Sequence, residues 1–295
     1  MFSARRYRSA LHCTLVLTGL TIMSSITPTR SQDSGSAESA KLAETAQKVV
    51  VDIFRNRDLT VVDRYFAEPL VQHDPNIADG LSGMKAFVSE VAKSSGSDIT
   101  IYRTLVDGDR VLIHSRYQGL KNAPAPLIAF DLFRFKDGKI VEHWGGQEPE
   151  ASVRNLSGHT QVDGPTAIDD REKTEANRTL VQTYRDVITV HQHYDRIGEF
   201  LADNYIQHAV GVGDGIERLK ARFASIARPD ALPTLVPRLF LADGNFVLSL
   251  VEAHTNPPTA NFDFFHIVDA KIAEHWEVLS PIPPRDQWKN SNGPF

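Results

Sequence analysis

The chain repeats itself, and any fold it adopts must be buildable twice. Phe130–Trp144, FDLFRFKDGKIVEHW, falls without a gap on Phe262–Trp276, FDFFHIVDAKIAEHW. Upstream, Tyr65–Phe87 (YFAEPLVQHDPNIADGLSGMKAF) runs alongside Phe200–Phe223 (FLADNYIQHAVGVGDGIERLKARF), so that Gln72-His73 falls on Gln207-His208 and Asp79-Gly80 on Asp214-Gly215. Two copies of this length are a domain duplication, because solenoid units are short and stack in threes or more. The 295 residues accommodate two domains of ordinary size.

Each copy shows the same order of signals. In the first, Ala40–Phe54 and Val61–Phe66 place apolar residues at helical spacing, and Gly83–Lys93 adds another short helix. Strand signals follow. Asp98–Gly119 reads as a hairpin around Asp107-Gly108 and Leu127–Trp144 as another around Asp137-Gly138, the Asp-Gly pair favouring a primed two-residue turn. The second copy carries Asp243-Gly244 and Asp269-Ala270 in those places. Helices first and antiparallel strands after them imply an α+β class, a curved, mainly antiparallel sheet packed on N-terminal helices. Between the copies, residues 145–170 are rich in Gly, Pro, Ser and Asp and read as a linker over the surface.

Strict alternation about Asp137-Gly138 pairs Phe135 with Ile140, Phe133 with Glu142 and Asp131 with Trp144. One face then holds Asp131, Phe133, Phe135, Ile140, Glu142 and Trp144, and the second copy sorts alike, with Asp263, Phe265, Ile267, Ile272, Glu274 and Trp276 together. Two carboxylates on an apolar, aromatic face either find donors or have their pKa raised, and a raised pKa suits proton transfer near neutral pH. The plainer alternative is that they accept hydrogen bonds and fix the sheet. His73 and His208 sit where the chain leaves a helix and are candidates for donor or proton relay beside the Asp. His143 and His275 fall on the opposite face, as surface or interface residues. His191 and His193, two apart on an expected helix, make a poor metal pair. No metal, phosphate or dinucleotide motif stands out, so the expectation is no metal and no cofactor.

With 23% charged residues and a formal net charge of -5, the chain gives no electrostatic reason to expect nucleic acid as a partner. Residues 1–32 differ: Arg5, Arg6, Arg8 and Arg30 are their only charges, and the apolar run is too short and Ser/Thr-rich for a membrane span. They read as a cleaved targeting peptide, giving a secreted or periplasmic protein, with mitochondrial import as the alternative. The sole cysteine, Cys13, lies inside that segment, so the mature chain carries no thiol chemistry.

The motifs QHDP, ADG before a short helix, FDLFRFKDGKIVEHW and the tail IPPRDQWKNSNGPF together resemble the SnoaL-like polyketide cyclase family of the nuclear transport factor two-like superfamily, in two tandem copies. The resemblance divides the chain into a first such domain at 33–150, a linker at 151–170 and a second domain at 171–295. It implies cone-shaped α+β barrels, each open at one end over a deep apolar pocket, and aldol-type ring closure without cofactor or metal. The family's catalytic Asp matches Asp131 and Asp263. His73 and His208 would assist, and Trp144, Glu142, Phe133, Trp276, Glu274 and Phe265 would line the substrate, a small apolar carbonyl compound. The family string continues Glu-His-Trp-Asp, whereas Gly145 and Glu277 stand here. A related variant of the fold hydrolyses epoxides with an Asp–Arg pairing, for which Arg103 and Arg116 are candidates. The alternative to an enzyme is a binding or dimerisation module, in which duplication puts two cones in one chain as an intramolecular pseudo-dimer.

Overall fold

The computed structural model describes residues 30–226 and 235–295. Most of the expected targeting peptide, Cys13 included, lies outside the described residues. The first half runs α1 (Arg30–Phe54), α2 (Val61–Tyr65), β1 (Phe66–Gln72), α3 (Gly80–Ala92), β2 (Asp98–Asp107), β3 (Arg110–Gln118), β4 (Leu127–Lys136) and β5 (Lys139–Pro149). The second runs α4 (Thr174–Tyr184), a π-helical turn (Arg185–Val190), β6 (Leu201–Gln207), α5 (Ile216–Ile226), β7 (Leu235–Asp243), β8 (Phe246–Ala253), β9 (Thr259–Val268) and β10 (Lys271–Pro281). The sheets have the orders β1-β5-β4-β3-β2 and β6-β10-β9-β8-β7. The class is α+β, as the order of signals implies, but each sheet is open, with no closed barrel among the described residues. No described helix is long and apolar enough to cross a membrane.

Helix α1 forms because Leu42, Ala46, Val49, Val50 and Ile53 share one apolar stripe, which it buries against β2 and β3. Asp137 (φ 52°) and Gly138 (φ 73°) both adopt the left-handed region that a primed turn requires. Asp107 pairs with Arg110, so the central residues of the preceding hairpin are Gly108 and Asp109, one position beyond the Asp-Gly pair. Strand β1 is absent from the sequence reading. Pro69 and the mixed pattern of Phe66–Gln72 conceal it, and it pairs parallel to β5 at the sheet edge, where a proline is tolerated. His73 and His208 therefore leave strands, not helices.

The larger correction concerns register. Phe135 pairs with Ile140 as alternation requires, but Arg134 pairs with Glu142, leaving Val141 as a bulge. Its counterpart is Ala273, between the pairs Ile272–Ile267 and Glu274–His266. A one-residue slip exchanges the two faces of everything beyond it. Asp131 thus lies opposite Gly145, not Trp144, and His143 joins the face of Asp131 while Glu142 and Trp144 move to the other.

That other face is covered by its twin. Phe130, Leu132 and Trp144 share one buried cluster with Phe262, Phe264 and Trp276, so the two sheets pack face to face. The Phe130 and Phe262 rings lie parallel within 3°, at 6.1 Å between centroids. The hairpin aspartates exchange bonds across the edges: Val106 N–H donates to Asp243 (3.0 Å) and Ala242 N–H to Asp107 (3.1 Å). Each copy's closing segment also crosses to its twin. Asn292 Nδ2 donates to Gln72 O (3.1 Å), and Asn155 Nδ2 donates to Gln207 O (2.5 Å). The connection is no free surface loop. Buried Arg103 donates to the carbonyls of Val162, Asp163 and Pro165 at 2.7–3.2 Å.

Gly146 marks the tightest approach of the sheets: a Cβ there would lie 2.2 Å from Phe262 Cε2. We expect Gly146→Ala to destabilise the protein by about 1–3 kcal/mol through overpacking, and Phe262→Ala by about 3–5 kcal/mol through the cavity left. Urea midpoints should show the Gly146→Ala cost largely vanishing in the Phe262→Ala background. Additive costs would mean that the clash is relieved elsewhere.

Candidate active site

Between the helices and the inner face of the first sheet lies a cavity of about 600 Å³, lined by Phe54, Phe87, Val91, Tyr117, Leu127 and Ala129, with Asp74, Asp131, His143, Glu90, Lys121 and Lys289 among its polar members. The second half encloses about 800 Å³, lined by Tyr184, Tyr205, Phe223, Val251 and Phe265, with Arg185, Asp263, His275 and Glu277.

In the first cavity His143 Nε2 lies 3.2 Å from Asp131 Oδ1, and Tyr117 donates its hydroxyl to Asp131 Oδ2. The histidine is oriented from behind. Gln72 Oε1 accepts from the backbone N–H of Asp74 (2.8 Å), which identifies that atom as the amide oxygen, and the same oxygen faces His143 Nδ1 at 3.0 Å. Nδ1 therefore carries a hydrogen, and any further proton of the pair sits between Nε2 and Asp131. Burial pushes the Asp74 carboxyl above its ordinary value, only partly offset by Asn76. Burial, reinforced by Asp131, holds the Tyr117 phenol well above its ordinary range.

The second cavity repeats the pair with a different charge. His275 Nε2 is 3.0 Å from Asp263 Oδ1, with Nδ1 set by Gln207 Oε1 (3.1 Å), but Arg185 Nη2 sits 2.5 Å from Asp263 Oδ2. Burial raises the Asp263 carboxyl, yet Arg185 and His275 outweigh it and hold it below its ordinary value. Glu277, across from Asp263, is pushed up to about 8 by burial and by the neighbouring Asp263 and Glu148 carboxylates. One ligand atom from each of Asp263, His275 and Glu277 lies within 4.8 Å of the others, close enough to share a metal ion, although Arg185 already supplies positive charge there.

The structure gathers the expected residues into two places. Asp131 and Asp263 are in the cavities, Phe265 lines the second, and Phe133 stacks on His143 at 5.0 Å. His73, Glu142 and Trp144 lie on the far face, where His73 stacks on Trp144 (4.4 Å, 2°) and bonds Glu142 (2.8 Å). His208, Trp276 and Glu274 repeat this at 4.3 Å (7°) and 3.0 Å. His143 and His275, read as surface or interface residues, instead face the aspartates. Arg103 holds the linker and Arg116 binds Glu150 (2.9 Å), so neither pairs with Asp131. The sequence reading missed His143 and His275 through the bulge, and Asp74 because it lies in the loop after β1, where alternation assigns no face. Arg185 gave no signal, being one cation on a helix, whereas Glu277 was visible only as a departure from the family string.

Two open α+β sheets, each with a His–Asp pair over a cavity, define a duplicated cavity-bearing fold. Residues 48–143 match the family model of the SnoaL-like domain. This segment thus corresponds to a SnoaL-like domain, and the second sheet repeats the strand order of the first. A search of curated proteins finds no match. Solved structures similar to this chain include an NTF2-like protein of unknown function from Mesorhizobium loti, 25% identical over 38% of this chain and 93% of that one, TM-score 0.33. Others are an NTF-2 like protein of unknown function from Burkholderia xenovorans LB400 (17%, 42% and 98%, TM-score 0.35) and an LEH-like epoxide hydrolase from M. tuberculosis (16%, 37% and 79%, TM-score 0.31).

Glu277 gives a pH test. Folded protein keeps its proton up to about pH 8, whereas the unfolded chain releases it near 4.5, so its contribution to stability falls as pH rises through that window. At ~1.4 kcal/mol per unit, the loss is on the order of a few kcal/mol. Glu277→Gln should match the wild type in denaturant titrations at pH 4 and exceed it at pH 8.5. An equal gap at both values would show that Glu277 does not titrate in this way.

Proposed function

We propose that the first cavity carries out general acid/base chemistry on a small, mostly apolar carbonyl compound, as an aldol cyclase, isomerase or lyase. The observation that carries this is the Asp131–His143 pair in an apolar cavity: among the described residues no Arg or Lys is paired with Asp131. Asp131 would remove a proton α to the carbonyl, with His143, set by Gln72, holding the carboxylate in place. The enolate oxygen needs donors. Asp74, whose carboxyl burial pushes above its ordinary value, is placed to supply one from the same cavity, since a neutral carboxylic acid in an apolar site can donate a hydrogen bond. His73, Glu142 and Trp144 act here as the frame of the Gln-His loop, with no contact to substrate.

For the second cavity we favour the alternative, binding without catalysis. Arg185 neutralises Asp263 and holds its carboxyl low, which weakens it as a base. The face-to-face sheets and reciprocal aspartate bonds support reading the two halves as an intramolecular pseudo-dimer. We further propose export after cleavage of residues 1–32, on their charge and apolar pattern.

The test is proton exchange. In deuterated buffer with a panel of cyclic ketones and β-ketoesters, wild-type protein should introduce deuterium α to the carbonyl of at least one compound, and Asp131→Asn should lower the rate by about 10²- to 10⁴-fold. Asp263→Asn should leave it within a few-fold. Loss in Asp263→Asn alone would transfer the activity to the second cavity, and no uptake with any compound would favour a binding module throughout.

A further inference from the structure

We propose that His159, Asp163 and His208 form a binding site for a divalent first-row transition metal of the zinc class, outside both cavities, where the linker crosses the second Gln-His loop. One ligand atom from each lies within 4.8 Å of the others. His208 Nδ1 faces Asp163 Oδ1 at 2.8 Å, and His159 Nδ1 faces Asp163 Oδ2 at 3.8 Å, so both rings turn the same nitrogen towards one carboxylate. Ligand atoms of a tetrahedral zinc site stand about 3.3 Å apart, given metal–nitrogen bonds of about 2.0–2.1 Å, so small side-chain rotations complete the geometry.

The outer nitrogens are what distinguish this cluster from a chance pair of histidines. His208 Nε2 bonds Glu274 Oε2 at 3.0 Å, and His159 Nε2 bonds Asp214 Oδ2 at 3.1 Å. Each imidazole is held between two carboxylates. With metal bound, the outer carboxylate would hold the N–H on Nε2, and His208 Nδ1 would give up its bond to the Thr160 carbonyl (3.1 Å) to present a lone pair, an orientation found behind most metal-bound histidines. Imidazole and carboxylate together suit zinc and its neighbours. A small pocket of about 160 Å³, lined by Asn155, His159, Thr160 and His208, borders the cluster and leaves room for a water as a further ligand.

The first copy serves as an internal control. His73 does the structural work of His208, stacking on its Trp and bonding its Glu, yet its Nδ1 meets only the carbonyl of Gly293 at 3.0 Å. In the second copy the equivalent nitrogen already has a carbonyl, Thr160 O at 3.1 Å, and Asp163 with His159 is added to it. Holding the loop does not require the addition. Arg154 Nη1, 3.9 Å from Asp163 Oδ2, is the one competing cation paired with this carboxylate among the described residues other than histidine, and its side chain is 65% exposed and able to withdraw.

The experiment uses the chelator-treated full chain titrated with Co²⁺, read by visible d–d absorption and then by displacement with Zn²⁺. We expect one saturable equivalent per chain, with the absorption intensity of a four- or five-coordinate site. His159→Gln changes a partly exposed residue, and a near-UV dichroism spectrum verifies its fold. It should abolish the spectrum, and Asp214→Asn, which loses the outer partner, should weaken binding by about 10- to 100-fold. The double variant of the exposed His191 and His193 should bind as the wild type does. The proposal is overturned if wild-type protein takes up no saturable Co²⁺, if folded His159→Gln and Asp214→Asn bind unchanged, or if only the His191/His193 variant loses binding.

Discussion

The bulge at Val141, repeated at Ala273, is the feature on which both halves depend. Without it, Glu, His and Trp would alternate from Ile140 in step with Phe135, and the histidine would point away from Asp131. The extra residue sends His143 inwards to the cavity and turns Glu142 and Trp144 outwards. Strand β1 also changes register on the other side of β5 at this place, between Phe66–Ile140 and Val71–Glu142, with its own extra residues on β1. A tripeptide present twice thus serves two purposes in each copy. Its histidine faces the cavity's aspartate, and its glutamate and tryptophan clasp the histidine of the Gln-His loop.

The copies preserve this geometry and differ in charge. Both aspartates face a histidine whose Nδ1 is fixed by a glutamine, and each glutamine oxygen is fixed by a backbone N–H two residues on. What changes is the third partner, the neutral Tyr117 hydroxyl for Asp131 and the Arg185 guanidinium for Asp263. Cavity shape and pair geometry come with the fold, whereas the acidity of the site is set by one or two side chains from helices and neighbouring strands. Divergence after duplication has acted on those side chains, as Gly145 opposite Asp131 and Glu277 opposite Asp263 show.

Much of the fold was legible. The duplication, the helix stripe of α1, the turn at Asp137-Gly138 and the α+β class follow from pattern and spacing, because each depends on local periodicity. The two aspartates were legible as residues that a greasy strand would not otherwise carry. Their partners were not. A bulge leaves no mark in alternation when the residues on both sides are apolar, as Ile140 and Val141 are, and the resulting slip misplaced three residues per copy. Strand β1 was hidden by Pro69, and Arg185 by the ordinariness of one arginine on a helix.

The exchange of closing segments has a consequence for how the chain is made. The carbonyl that meets His73 belongs to Gly293, and Asn290 and Asn292 bind the loop after β1, so contacts that finish the first half span some 220 positions of sequence. Such long-range closure is slow, because chain entropy must be overcome before the contacts form. During synthesis the first sheet can assemble early, but the outer face of Phe130, Leu132 and Trp144 stays uncovered until the second sheet is made, and its Gln-His loop stays unfinished until residues 290–293 leave the ribosome. Duplication within one chain makes that wait intramolecular: the missing partner is already tethered and need not be found in solution.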